Sequence, residues 1–165
     1  PIADDPEVGR WLAAMQDGRR DTLRELDGLT DAALDWRPSP GADSISTVLY
    51  HVALIEADWL LVDILGPDAP EWPTELLPFD ARNEDDHLTG VEGQTLARHL
   101  ERLAGVRDML LRYLKPMSSA DFLRLRAGDE YDVSAVWVIH HLLQHEAEHR
   151  SQIGELKQAW QRSLS

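Results

Sequence analysis

Residues 138–153 read VIHHLLQHEAEHRSQI, and they hold four of the chain's seven histidines. His141, His145 and His149 are each four residues apart, with His140 beside the first. Four residues of α-helix bring a side chain almost back into line, about one turn further on. The interleaved Val136, Trp137, Ile139, Leu142, Leu143 and Ile153 predict a helix that is largely buried, capped at Ser134 and running to about Trp160. Apolar residues and imidazoles on one helix point to a helical core with a polar site built into it.

The same periodicity recurs upstream. Trp11, Leu12, Met15, Leu23 and Leu26 predict a helix from about Pro6 to Gly28, where glycine is a stop. A short helix follows in TDAALDW, with Thr30 as its N-cap. Val48, His51, Val52, Ile55, Trp59 and Val62 form the stripe of a second long helix, from Ser44 or Ser46 to about Leu65, ended by GPDAPEWP. Leu96, Leu100, Leu103, Leu110 and Leu114 mark a third, from about Gln94 to Leu114, and a short helix begins at Ser118. Between the second and third long helices lies the longest irregular stretch, from Gly66 to about Gly90, with NEDDH as a solvated turn. RAGDEYDV reads as a loop with a brief extended piece. No segment shows sustained strand alternation. The expectation is an all-α fold, a four-helix bundle with one long crossover connection, formed by residues 1–165 as one domain.

Composition narrows the function. The chain carries 30 acidic against 16 basic side chains, a formal net charge of −14. Such a surface repels phosphate backbones and anionic lipid heads, which disfavours nucleic-acid and membrane partners. Cysteine is absent, so disulfides, thiolate metal ligands and a cysteine nucleophile are excluded together, which fits a cytoplasmic protein. The run WLLVDIL at 59–65 is too short to span a bilayer, and PIADDPEVGR lacks the regions of a signal peptide.

Two histidines four apart on a helix can aim ring nitrogens at one ion, and imidazole suits Zn, Ni, Cu and Fe. The spacing leaves two pairs open, His141 with His145 or His145 with His149. The outer two stand about 12 Å apart along the axis, too far to share an ion easily. His145 belongs to both pairs. A third ligand must come from the apolar face of another helix. His51, set between Val48, Val52 and Ile55, fits; His99, flanked by Arg98, Glu101 and Arg102, reads as a solvated helix edge, and His87 as a loop residue.

LDWRPSPGADSISTVLYHVALIEADWL at 34–60 and HHLLQHEAEHRSQI at 140–153 together resemble the DinB-like superfamily of DinB/YfiT-type metalloenzymes. The resemblance covers nearly the whole chain. It implies a four-helix bundle holding one divalent ion, Zn or Ni foremost, on His51, His145 and His149, with His141 as a supporting residue or pocket wall. Ser151 stands where the family usually has glycine. Related proteins include thiol-dependent transferases and isomerases. The resemblance therefore implies a metal-dependent enzyme, a thiol S-transferase or hydrolase, acting on a small molecule with an external low-molecular-weight thiol, and a homodimer. The alternative is a non-catalytic metal-binding stress-response module. Glu56 follows His51 by five residues, rotated about 140° from it. It is the candidate catalytic base or orienting group, its other reading being a salt bridge at the bundle edge. Glu146 and Glu148 are expected to face solvent, and Arg150 to make a structural ion pair.

Overall fold

The computed structural model describes residues 2–128 and 131–165, and it is all-α. Six α-helices follow in chain order: α1 (Pro6–Glu25), α2 (Asp31–Leu34), α3 (Ile45–Asp58), α4 (Leu96–Leu114), α5 (Ser119–Leu123) and α6 (Ala135–Ser163). Five of them start where a short polar side chain can take an orphan amide. Asp5 accepts from Glu7, Ser44 from Thr47, Thr95 from Arg98, Ser118 from Asp121 and Ser134 from Trp137. Thr30 precedes α2 but makes no such bond. Gly28, beyond the end of α1, has φ +77°, a conformation a Cβ would strain.

Four long helices form the body. α1 packs on α6, α6 on α3, and α3 on α4. The remaining edge, α1 against α4, is tied by two arginines that cross it in opposite directions. Arg19 donates to the Leu103 carbonyl and Arg107 to that of Met15, each at 2.8 Å.

The core has two apolar halves. Leu34, Val48, Leu49, Val52, Leu103, Val106, Ile153 and Leu156 belong to one; Leu12, Met15, Leu60, Ile64, Leu110, Phe122, Val138 and Leu142 belong to the other. Each long helix carries a buried charged residue near the boundary of the two halves: Arg19 on α1, Glu56 on α3, Arg107 on α4 and Glu146 on α6.

The second long helix departs from expectation at its end. Its α-helical part stops at Asp58, and Trp59–Leu65 continues as π-helix before a 3₁₀ turn at Gly66–Asp68. Leu60, Leu61 and Ile64 stay buried, but Val62, placed on the apolar stripe by its spacing, is exposed. The wider turn breaks the 3.6-residue register on which the stripe was read.

The long connection to α4 is irregular, as its composition predicts. It is pinned to α3 by Tyr50, whose hydroxyl donates to the Phe79 carbonyl and accepts from the Phe79 amide, both at 2.7 Å. Within NEDDH, Asn83 Oδ1 accepts from the amides of Asp85 and His87. In RAGDEYDV, Arg126 and Val133 form a doubly bonded antiparallel bridge; Asp129 and Glu130 lie outside the described residues. Among the described residues no helix is long and apolar enough to cross a membrane.

Candidate metal centre

His51 reaches the α3–α6 interface from the middle of α3, and His145 and His149 reach it from successive turns of α6. Their Nε2 atoms converge. His145 Nε2 stands 3.1 Å from that of His51 and 3.1 Å from that of His149. One ligand atom from each ring lies within 4.8 Å of the other two, so the three residues can hold a metal ion. Four-coordinate Zn–N bonds of about 2.0–2.1 Å would put neighbouring nitrogens about 3.4 Å apart, close to the separations seen here.

The chemistry of the donors fits a cation. His149 Nδ1 lies 2.9 Å from Gln152 Oε1, and a proton held on Nδ1 by that oxygen leaves Nε2 free to bind a metal. Burial, then the neighbouring His149, lowers the pKa of His51 to about 4. Burial, followed by His149, His51 and His141, lowers that of His145 to about 3. Both rings are therefore neutral near pH 7, the form that binds metal, and no proton has to be displaced there. His51 Nδ1 is buried without a hydrogen-bond partner, so packing by α3 rather than a second acceptor sets that ring.

Behind the histidines lies the charged layer that divides the core. Arg19 Nε donates to Glu146 Oε1 at 2.6 Å and its Nη2 to Glu56 Oε2 at 2.8 Å. Arg107 Nε donates to Glu56 Oε1 at 2.6 Å and its Nη2 to Glu146 Oε2 at 3.0 Å. Two guanidinium groups and two carboxylates thus form a closed, formally neutral square, with one corner from each long helix. Burial pushes the Glu56 carboxyl up, but Arg107 and Arg19 together outweigh it and hold the group below its usual range. The same square raises the pKa of Arg107. Glu56 therefore sits in an ion pair at the bundle centre, with both oxygens engaged by guanidinium groups.

Two expectations are corrected. Glu146, placed in solvent because it adjoins His145, is buried at a corner of the square. One residue's rotation of about 100° turns it from the histidine groove to the helix's inner face. His99, placed at a solvated edge because charged residues flank it, is fully buried. Its neighbour Arg102 is buried too, donating to His99 Nδ1 at 3.0 Å and to the Leu76 carbonyl and Gln94 side chain. Local charge misled because the crossover covers this part of α4.

Glu148 is exposed, and Arg150 donates to the Gly18 carbonyl at 3.3 Å, bracing α6 against α1. His140 turns away toward Trp11, with ring centres 6.4 Å apart. His141 stands outside the convergent set, its ring 6.2 Å from that of His145. Arg19 and Arg107 were not singled out by sequence, yet each interrupts an apolar helical stripe, Arg19 between Met15 and Thr22 and Arg107 between Leu103 and Leu110, as Glu146 does after Leu142. That interruption was the available signal.

Residues 14–153 match the sequence model of the DinB superfamily. The chain belongs to the DinB superfamily. No curated protein matches it. The matched range of this DinB-superfamily chain includes His51, His145 and His149 and all four corners of the ion-pair square.

Proposed function

We propose that this protein binds one divalent transition-metal ion, zinc or nickel, through His51, His145 and His149, and uses it in catalysis on a small-molecule substrate. The convergence of three Nε2 atoms, two of the separations being 3.1 Å, carries the reading. The ligand set is neutral, so a bound ion keeps its full charge, and with three protein ligands it has a position open for water, a carbonyl or a thiolate. The chain's own residues supply the rest. Gln152 holds the His149 ring at Nδ1, and the square orients α3 and α6. Glu56 is engaged by two arginines, so its part is to position rather than to take a proton.

The reaction we favour is transfer to or from an external low-molecular-weight thiol, with metal-assisted hydrolysis as its chemical neighbour. The chain has no cysteine of its own to serve as nucleophile. We place the protein in the cytoplasm, consistent with the absence of cysteine, and read it as a homodimer. A purely structural ion is less favoured, because the neutral square already joins the four long helices and structural zinc sites normally take four protein ligands. The test is turnover of zinc- and nickel-loaded protein with a panel of thiols and electrophiles. Metal-dependent thioether formation supports the proposal; a fully loaded protein inert across the panel contradicts its catalytic part.

A further inference from the structure

The row of side chains on α6 does not stop at the histidines. Trp137, His141, His145 and His149 are each four residues apart, and the rings follow one another along the helix. Trp137 stacks on His141 with centroids 5.4 Å apart and planes 3° from parallel. From the facing helix, the first residue of the π-helical segment adds a third ring. Trp59 lies 4.8 Å from His141 and 5.4 Å from Trp137. Tyr131 closes on Trp137 at 5.6 Å. A continuous aromatic strip thus leads from the surface to the convergent histidines.

Its outer end is uncovered. Trp137, which its spacing placed in the core, is 39% exposed, and Tyr131 is 51% exposed. Trp59 and Tyr131 also line a cleft of about 320 Å³ together with Val62 and Val133. That volume is within the range of small-molecule pockets. A ligand lying along the helix would cover the exposed part of the Trp137 ring.

Resting on the metal reading of the histidines, the geometry points to this strip as the recognition surface for a flat aromatic portion of the substrate, whose donor end reaches the histidine centre. Ring faces and edges favour another π-system over an aliphatic group of equal area, because offset and edge-to-face contacts at 4.5–7 Å align opposite parts of the quadrupoles. The protein's net charge of −14 favours an uncharged or cationic ring over an anionic one. Trp137 and Trp59 are specificity residues, and His141 spans the gap between them and His145.

Two measurements test this. In cobalt-loaded protein, visible absorbance titrations compare acetohydroxamate, benzohydroxamate and 2-naphthohydroxamate, which share the metal-binding group and differ in ring size. The expected result is roughly tenfold tighter binding of the naphthyl compound than of the acetyl one. In surface-facing Trp137→Leu, and again in Trp59→Leu, that advantage falls to about threefold or less, while acetohydroxamate affinity and cobalt content stay unchanged. In metal-free protein, 2-naphthol should shift the indole N–H resonances of Trp59 and Trp137 and cyclohexanol should not. Cobalt binding without an aryl preference, or a preference that survives both substitutions, overturns the strip. Failure to bind cobalt overturns the metal reading instead, and the naphthol shifts then judge the rings alone; their absence would also overturn the strip.

Discussion

Replacing Arg107 with methionine should cost this protein about 3–5 kcal/mol, the usual result of removing one partner from a buried ion pair. The structure explains why the cost belongs in that range. The Arg107 side chain is 3% exposed and donates to both oxygens of Glu56, to Glu146, to the Met15 carbonyl and to the Gln16 side chain. Methionine fills much of the volume, so the loss is electrostatic rather than a cavity. Glu56 and Glu146 are left buried with only Arg19 between them, and the Met15 carbonyl loses its side-chain donor. For a chain of this size each kcal/mol moves the melting temperature by about 2–4 °C, so a fall of about 6–20 °C is expected. Urea denaturation of metal-free protein, followed by circular dichroism, gives the free energy directly. The control is Arg107→Met with Glu56→Gln. If the cost arises from an unpaired buried carboxylate, neutralising that carboxylate recovers more than half of it. A single substitution costing under about 1 kcal/mol, or a double mutant as unstable as the sum of the singles, would refute the square as a coupled unit.

Two further predictions concern α4 and the crossover. His99 has its pKa lowered to about 4, first by burial and then by Arg102. The unfolded chain, with an ordinary value of about 6.5, therefore binds more protons between those limits. Stability is full above about pH 6.5 and falls as pH drops toward 4, by about 3 kcal/mol from this group at the bottom of the window. The fall in urea-unfolding free energy from pH 6.5 to 4 should differ by that amount between zinc-saturated wild type and His99→Gln, and identical slopes would contradict it. Tyr50→Phe removes both bonds to Phe79, which should destabilise the protein by about 1–3 kcal/mol and speed amide exchange around Phe79 well before α6 is affected.

Helical periodicity carries the fold because most of these helices keep one apolar face along their length. It failed where geometry changed, as at the π-helical turn that exposes Val62, and where sequence neighbours are not spatial neighbours, as at His99 beneath the crossover. The histidine row on α6 is visible as a spacing, but spacing cannot choose between the His141–His145 and His145–His149 pairs. That choice came from family resemblance, and the structure brings the second pair to His51. The ion-pair square was the least legible part. Sequence reads Glu56 as a candidate base or an edge salt bridge and Glu146 as a solvent residue, and only the packing of four helices shows that these two and the two arginines neutralise one another. Trp137 reads by default as a packing residue, with a pocket wall as its other reading; its partial exposure and its place one four-residue step before the histidine row suit the second.

The most direct test of the central claim is the metal content of purified protein, measured by plasma mass spectrometry beside His51→Ala, His145→Ala, His149→Ala and His141→Ala. About one divalent ion per chain is expected in wild type and in His141→Ala, and almost none in the other three. Loss of metal in His141→Ala and His145→Ala, with His51→Ala and His149→Ala still loaded, would show that the ion sits on the other pair; no bound metal in wild type would contradict the site altogether.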